Sequence, residues 1–215
     1  MKYCVDRQKI LQLVLAGQGT IANDDPVAPW IEYGVADPSR KPDIGKAKAL
    51  LAEAGHRDGL KVELWTSKAI TGMEELATVF KEMAAPAGIE VVIKEAAAND
   101  YWDTIWLKQP FIASGWSGRP ADDALAVAYL SDAKWNETHW KRPEFDQLIH
   151  QARQTVSYDQ RKALYQKAQK MLIDEGGAFI PVYVNALSAT AAKINGWSPH
   201  PQKFLKDFRH MSLAG

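Results

Sequence analysis

The sequence predicts an α/β fold, a mixed sheet flanked by helices, and three patterns carry that prediction. Residues 60–67, "LKVELWTS", set Leu60, Val62 and Leu64 alternately against Lys61 and Glu63, the period-two signature of a half-buried strand. Residues 89–97, "IEVVIKEAA", repeat it through Ile89, Val91 and Ile93. Between them Leu76, Val79, Phe80 and Met83 recur at helical spacing. Strand, helix, strand in succession is a βαβ unit, so the two strands should lie parallel.

The remaining elements follow in chain order. The opening "MKYCVDRQKILQLVLAGQGTIA" has the look of a signal peptide, but Asp6 and Gln12 break that pattern. An amphipathic helix with Val5, Ile10, Leu11 and Val14 near one face fits better. Residues 17–42 hold four prolines and three glycines without periodicity, and so predict a long irregular segment. Ala47, Leu50, Leu51 and Ala54 make a helical stripe that Gly55 should terminate. Thr71 and Glu74 have capping-box spacing for the βαβ helix, which Pro86 and Gly88 end. "DYWDTIWLKQ" predicts a short aromatic helix and "PFIASGW" a third strand. Helices from 143 to about 155 and from 158 to about 175 follow, the second with Leu164, Ala168, Met171 and Leu172 inward and Gly176-Gly177 as its stop. "AFIPVYVNALSATAAK" predicts a final strand pair or one bent strand, and the whole should enclose one contiguous core. Residues 1–193 read as this α/β unit. Residues 194–215 read as a tail whose Trp197, Phe204 and Phe208 need a covering surface.

Composition excludes several functions. The chain has 26 basic and 26 acidic side chains among 215 residues, which argues against a nucleic-acid surface. Its single cysteine, Cys4, forbids an internal disulfide and a cysteine-based metal cluster. The five histidines have no metal-motif spacing, "GQG" at 17–19 follows a helix rather than a strand, and no Walker loop occurs. No cofactor is therefore expected. No apolar run approaches the ~18 residues of a membrane span. Eight tryptophans stand out, because indoles are favoured where a surface holds an amphipathic ligand.

The chemically richest stretch is "GWSGRPADD", residues 115–123. Trp116, Ser117, Gly118 and Arg119 fall just past an apolar run that predicts a strand, where ligands gather in open α/β sheets. Two readings of Arg119 compete: contact with a ligand, or a structural pair with Asp122 or Asp123. Two further alternatives are a folded fragment with no binding of its own and a hydrolase using Ser117, or Asp122 and Asp123 together. The hydrolase lacks a nucleophile elbow, and adjacent aspartates in a helix do not face one another. Capping the following helix is a simpler duty for both acids.

The order of these stretches resembles the C-terminal lobe of the family 5 solute-binding proteins, the extracytoplasmic receptors of dipeptide, oligopeptide and nickel ABC importers. "VDRQKILQLVLAGQGTIA", "GKAKALLAEAGHRDGLKVEL", "AGIEVVIKEA", "YWDTIWLKQPFIASGWSG", the run from "RPEFDQLI" to "FIPVY" and the closing "INGW" carry the likeness. It implies a periplasmic-binding-protein-like lobe, a periplasmic or extracytoplasmic location and a permease partner engaged through a full-length receptor. The signal peptide and larger N-terminal lobe of the family are missing here, so the resemblance implies less than half of such a receptor. Its tail would return towards that lobe, and self-association through the exposed interlobe face is expected. The resemblance also places the loop after Gly115-Trp116 in the ligand cleft, with Asp122 nearby and Asn136 in another cleft-facing segment. Peptide-binding relatives hold the peptide's α-ammonium with an aspartate three residues past the tryptophan. Here that residue is Arg119, which favours an anionic or carboxylate-bearing ligand.

Overall fold

The computed structural model describes residues 1–36, 40–198 and 209–214. At its centre is the expected βαβ unit. Strand β2 (Leu60–Ser67) and strand β3 (Ile89–Ala96) pair in parallel over their full length, Leu60 opposite Ile89 and Ser67 opposite Ala96. Helix α3 (Met73–Ala84) crosses between them and buries Ala77 and Phe80. The capping box at Thr71 and Glu74 does not form. Gly72, at φ 93°, occupies the N-cap position, and no side chain caps the helix. The left-handed backbone there suits glycine and puts the preceding threonine outside the capping position.

The predicted third strand is reduced to a single parallel bridge, Trp65 to Ile112. Two hydrogen bonds hold it, Trp65 N to Phe111 O at 3.0 Å and Ala113 N to Trp65 O at 2.8 Å. That contact still places residues 111–113 along the outer edge of β2, and so positions the loop beyond them.

Helix α1 (Arg7–Leu15) is capped by Asp6, whose side chain accepts from Lys9 N at 3.1 Å. Helix α2 (Ile44–Glu53) is capped in the same way by Asp43, and Gly55 follows it at φ 88°, as its stop position requires. Helix α4 (Tyr101–Thr104) is the short aromatic turn. Helices α5 (Ala121–Tyr129), α6 (Pro143–Gln154) and α7 (Tyr158–Glu175) form the other half of the molecule. In α7 the buried face is Tyr165, Ala168, Gln169, Leu172 and Ile173, while Leu164 and Met171 flank it half-buried.

Residues 17–42 are less irregular than their composition predicts. Strand β1 (Gly19–Ile21) pairs antiparallel with β4 (Val182–Val184), Gly19 opposite Val184. Three residues are too few to show a period, so the pairing is tertiary in origin. Among the described residues of the tail, β5 (Ile194–Asn195) pairs antiparallel with β6 (Ser212–Leu213), and Trp197 beside them is half-buried. Phe204 and Phe208 lie outside the described residues.

Instead of one contiguous core, the described residues form three apolar clusters. One packs α5, α6 and α7 around Leu125, Phe145 and Ile149 and takes in Val27 from the N-terminal segment. A second joins α1 and α3 to the parallel pair through Ile10, Phe80, Ile89 and Val91. A third is built on Tyr101, Ile105 and Ala113, with Trp65 and Trp106 packed against it. A buried polar knot, Asp24 with Arg7 and Arg40, lies in the N-terminal segment. The same segment caps the end of α7: Lys2 Nζ donates to the carbonyls of Leu172 and Ile173, and Arg40 donates to Ile173. The Leu172 carbonyl also accepts from the Gly176 N–H at 2.9 Å, and cations placed there oppose the helix dipole.

Candidate functional site

Residues 114–120 form an exposed loop between the edge of β2 and the start of α5. Proline fixes the entry to the helix: Pro120 is the N-cap, so Asp122 and Asp123 fall in the first turn. Their charges favour the helix's positive end, but neither side chain makes the capping hydrogen bond. They also diverge. Asp123 accepts from Arg119 Nη1 at 2.8 Å. Asp122 accepts from Arg153 Nε at 2.8 Å and Nη2 at 2.9 Å, and from Tyr165 Oη at 2.8 Å. Burial pushes the Asp122 carboxyl up, but those hydrogen bonds outweigh it and hold it below the ordinary range. This acid ties α5 to α6 and α7. The two aspartates do not converge on one point, as a shared acid-base pair would require.

Arg119 forms the structural pair that its sequence context allows, and it also lies over an indole, its Cζ 5.4 Å from the Trp116 ring centroid. Its side chain retains 31% exposure, while its Nε is buried without a hydrogen-bond partner. Ser117 and Gly118 are exposed, and a side chain at Gly118 would meet nothing within 4 Å. The Ser117 hydroxyl has no hydrogen-bond partner among the described residues. Gly115 is tighter, since a Cβ there would come within 3.0 Å of the Ile70 side chain.

Asn136 is buried rather than presented to solvent. Its amide nitrogen donates to the carbonyls of Leu130 and Trp140, and its oxygen accepts from Thr138 Oγ1 at 2.9 Å. It closes the turn that carries its neighbours. A shallow depression of about 330 Å³ beside it is lined by Asp132, Lys134, His139 and Lys141. A larger groove of about 900 Å³, floored by Val62, Trp65, Phe111 and Phe179, lies elsewhere and takes no residue from the 114–120 loop.

Sequence reasoning singles out Trp116 but misses its company. Trp106, from the turn after α4, and Trp135, two residues before Glu137, stand 6.3 and 6.1 Å from Trp116 between ring centroids, and 6.2 Å from each other. Glu137 accepts from Trp116 Nε1 at 2.9 Å, Ser114 Oγ at 2.9 Å and Trp106 Nε1. The signal available was "WNETHW", where an acid sits between indoles. Trp140, its second indole, instead packs on Phe145 at 5.2 Å. No group of histidine, cysteine and carboxylate side chains able to hold a metal ion occurs among the described residues.

The site is thus a loop at the edge of a parallel strand pair, carrying indoles and a cation, on an α/β lobe. The model of the bacterial extracellular solute-binding proteins, family 5 Middle, matches residues 1–138. The chain belongs to that family. It is 27% identical over 214 residues to the dipeptide-binding protein of Escherichia coli K12, covering 94% of this chain and 39% of that protein. It is 28% identical over 212 residues to the probable deoxycholate-binding periplasmic protein YgiS of the same organism, again over 94% of this chain and 39% of the relative. The chain thus spans well under half the length of these curated relatives. Among solved structures, the ABC transporter substrate-binding protein CtaP of Listeria monocytogenes superposes with a TM-score of 0.88 at 22% identity. That match covers 100% of this chain and 46% of CtaP. DppA of Helicobacter pylori in complex with a peptide superposes with a TM-score of 0.82 at 20% identity, over 100% of this chain and 43% of DppA. At such identities these matches establish the fold.

Proposed function

We propose that this chain is a ligand-binding lobe of an ABC-importer receptor, with residues 1–193 as the C-terminal lobe and 194–215 as a tail directed to a second lobe. The ligand is a peptide or a related small solute, and the working step is closure around it rather than a reaction. The carrying observation is Arg119, placed over the exposed Trp116 ring with its side chain partly exposed and its Nε without a hydrogen-bond partner. A planar fork of donors beside an apolar wall suits a carboxylate-bearing ligand. Trp116, Ser117, Gly118 and Arg119 make the direct contacts in this reading, while Asp122 and Asn136 hold the ground under them. Relatives named for dipeptide, glutathione, deoxycholate and heme binding support the class and span a wide range of solutes. An extracytoplasmic location and docking on a membrane permease belong to the same proposal, for a receptor that contains this lobe.

Thermal melting of the chain with a panel of acidic and neutral dipeptides tests it. A specific ligand at one hundred times its dissociation constant adds ~2.7 kcal/mol of stability, which melting resolves. Half of a two-walled site predicts weak binding with acidic members preferred. Tight binding by this chain alone would contradict the half-site reading, and turnover of a dipeptide would replace it with an enzyme.

A further inference from the structure

The charges around the loop are unevenly settled. Arg119 is paired with Asp123, and Asp122 with Arg153. Glu137 has no cationic partner among the described residues; its three donors are the Trp106 and Trp116 ring nitrogens and the Ser114 hydroxyl. Neutral donors leave a carboxylate's net charge in place. Hydrogen bonds in series polarise one another, so an indole donating to a carboxylate carries more negative charge on its ring face.

The three rings form a continuous surface, with planes inclined by 52 to 61°. Trp116 is 37% and Trp135 45% exposed, and Trp102 continues the row at 5.8 Å from Trp106. Electron-rich indole faces attract cations within about 6 Å of the ring centroid. The molecule already uses this property once, with Arg119 over Trp116. Two non-glycine residues with positive φ, Leu107 at 61° and His139 at 53°, adjoin the segments that carry Trp106 and Trp135.

We propose that the Trp106–Trp116–Trp135 surface, with Glu137 behind it, is a subsite for a small organic cation, an alkylated ammonium group of the bound solute. This deepens the receptor reading and rests on it for its biological setting. With Arg119 holding a carboxylate beside it, the solute carries opposite charges at neighbouring positions. The uncompensated charge of Glu137 selects the cationic end, and the exposed indoles cover its alkyl groups.

The test titrates the chain with choline and with 3,3-dimethylbutan-1-ol, which has the same shape without the charge, and reads tryptophan fluorescence. Choline is expected to change the emission saturably and to bind about fivefold more tightly than the alcohol, the scale of an exposed cation–indole contact. Glu137→Gln should narrow that preference, the indole contribution remaining, and leave the alcohol's weak binding unchanged. Equal binding of the two probes by the unaltered chain overturns the proposal, because the surface is then merely apolar. Finding the indoles covered by a second copy in sedimentation, with emission insensitive to choline, overturns it too. Should Glu137→Gln fail to fold, Trp135→Leu replaces it, since that ring nitrogen bonds no described residue; undiminished choline binding in this variant also counts against the subsite. The receptor reading is tested apart from this by the melting panel of acidic and neutral dipeptides, so the subsite and the receptor reading fail separately.

Discussion

Arg7 Nη2 donates to Asp24 Oδ1 at 2.7 Å, with the arginine side chain 2% and the aspartate side chain 0% exposed. Arg40 Nη1 approaches the other carboxylate oxygen at 2.6 Å, and the Ile180 backbone N–H adds a third donor at 3.0 Å. One carboxylate thus ties α1, the segment after residue 39 and the approach to β4 together. Removing one partner of a buried ion pair strands the others. Asp24→Ala should therefore cost about 3–5 kcal/mol, read as a lower urea midpoint with an unchanged slope. A loss below about 1 kcal/mol would show that water enters the knot and screens it.

The next residue behaves differently. Asp25 is 3% exposed, accepts one hydrogen bond from Val27 N at 2.9 Å and leaves Oδ2 without a partner. Burial raises its carboxyl from 3.8 to about 7 against the opposing Val27 hydrogen bond. Between these two values the folded chain holds a proton that the unfolded chain releases. Its contribution to stability is therefore greatest at the acid end of that window and falls as pH rises towards 7. Asp25→Asn should flatten the slope of stability against pH from about 4 to 7 and raise the melting midpoint at pH 8. An unchanged slope in the variant would assign the pH dependence to other groups.

How much of this was legible in the sequence depended on the range of the interaction. The βαβ unit and the bounds of α7 were visible because period and caps are local, within one turn or one strand. The Asp24 knot was not: Arg7 and Asp24 are 17 positions apart, and nothing near Asp24 distinguishes it from a solvated loop acid. Strand β1 was lost for a related reason, since three residues become a strand only when residues 182–184 arrive beside them. At the site, Trp116 and Arg119 could be singled out because turn residues and charges crowd within one short stretch. Glu137 could not, because its role arises from donors 21, 23 and 31 positions away.

Asp122 offers a third check. Its contacts with Arg153 and Tyr165 hold α5 against α6 and α7, so Asp122→Ala should lower stability by about 1–2 kcal/mol, a figure kept small by the partial exposure of the ion pair. Because this carboxyl is held below its ordinary value, its contribution is present above the unfolded pKa and lost as pH falls through the folded one. Urea titrations at pH 7 and at pH 3 should therefore show a larger gap between variant and parent at pH 7. Equal gaps would mean that packing of the first turn, not the carboxylate's charge, is what the substitution removes.

Arg119 decides between a turn and a binding loop. Its pair with Asp123 is an i,i+4 contact with both side chains partly exposed, which is worth well under 1 kcal/mol to the fold. Arg119→Ala should therefore leave the melting midpoint nearly unchanged. If the guanidinium meets a ligand carboxylate in a closed receptor, the same substitution should weaken an acidic solute by ~2–4 kcal/mol, because the pair is then desolvated. Asp123→Asn separates the cases further. It frees Arg119 from its internal partner without removing the cation, so affinity for an acidic solute should hold or rise. Binding measured by calorimetry and stability by melting, on both variants of a receptor containing this lobe, give the answer. Lost stability with intact affinity in Arg119→Ala would leave Arg119 as a helix-entry anchor and nothing more.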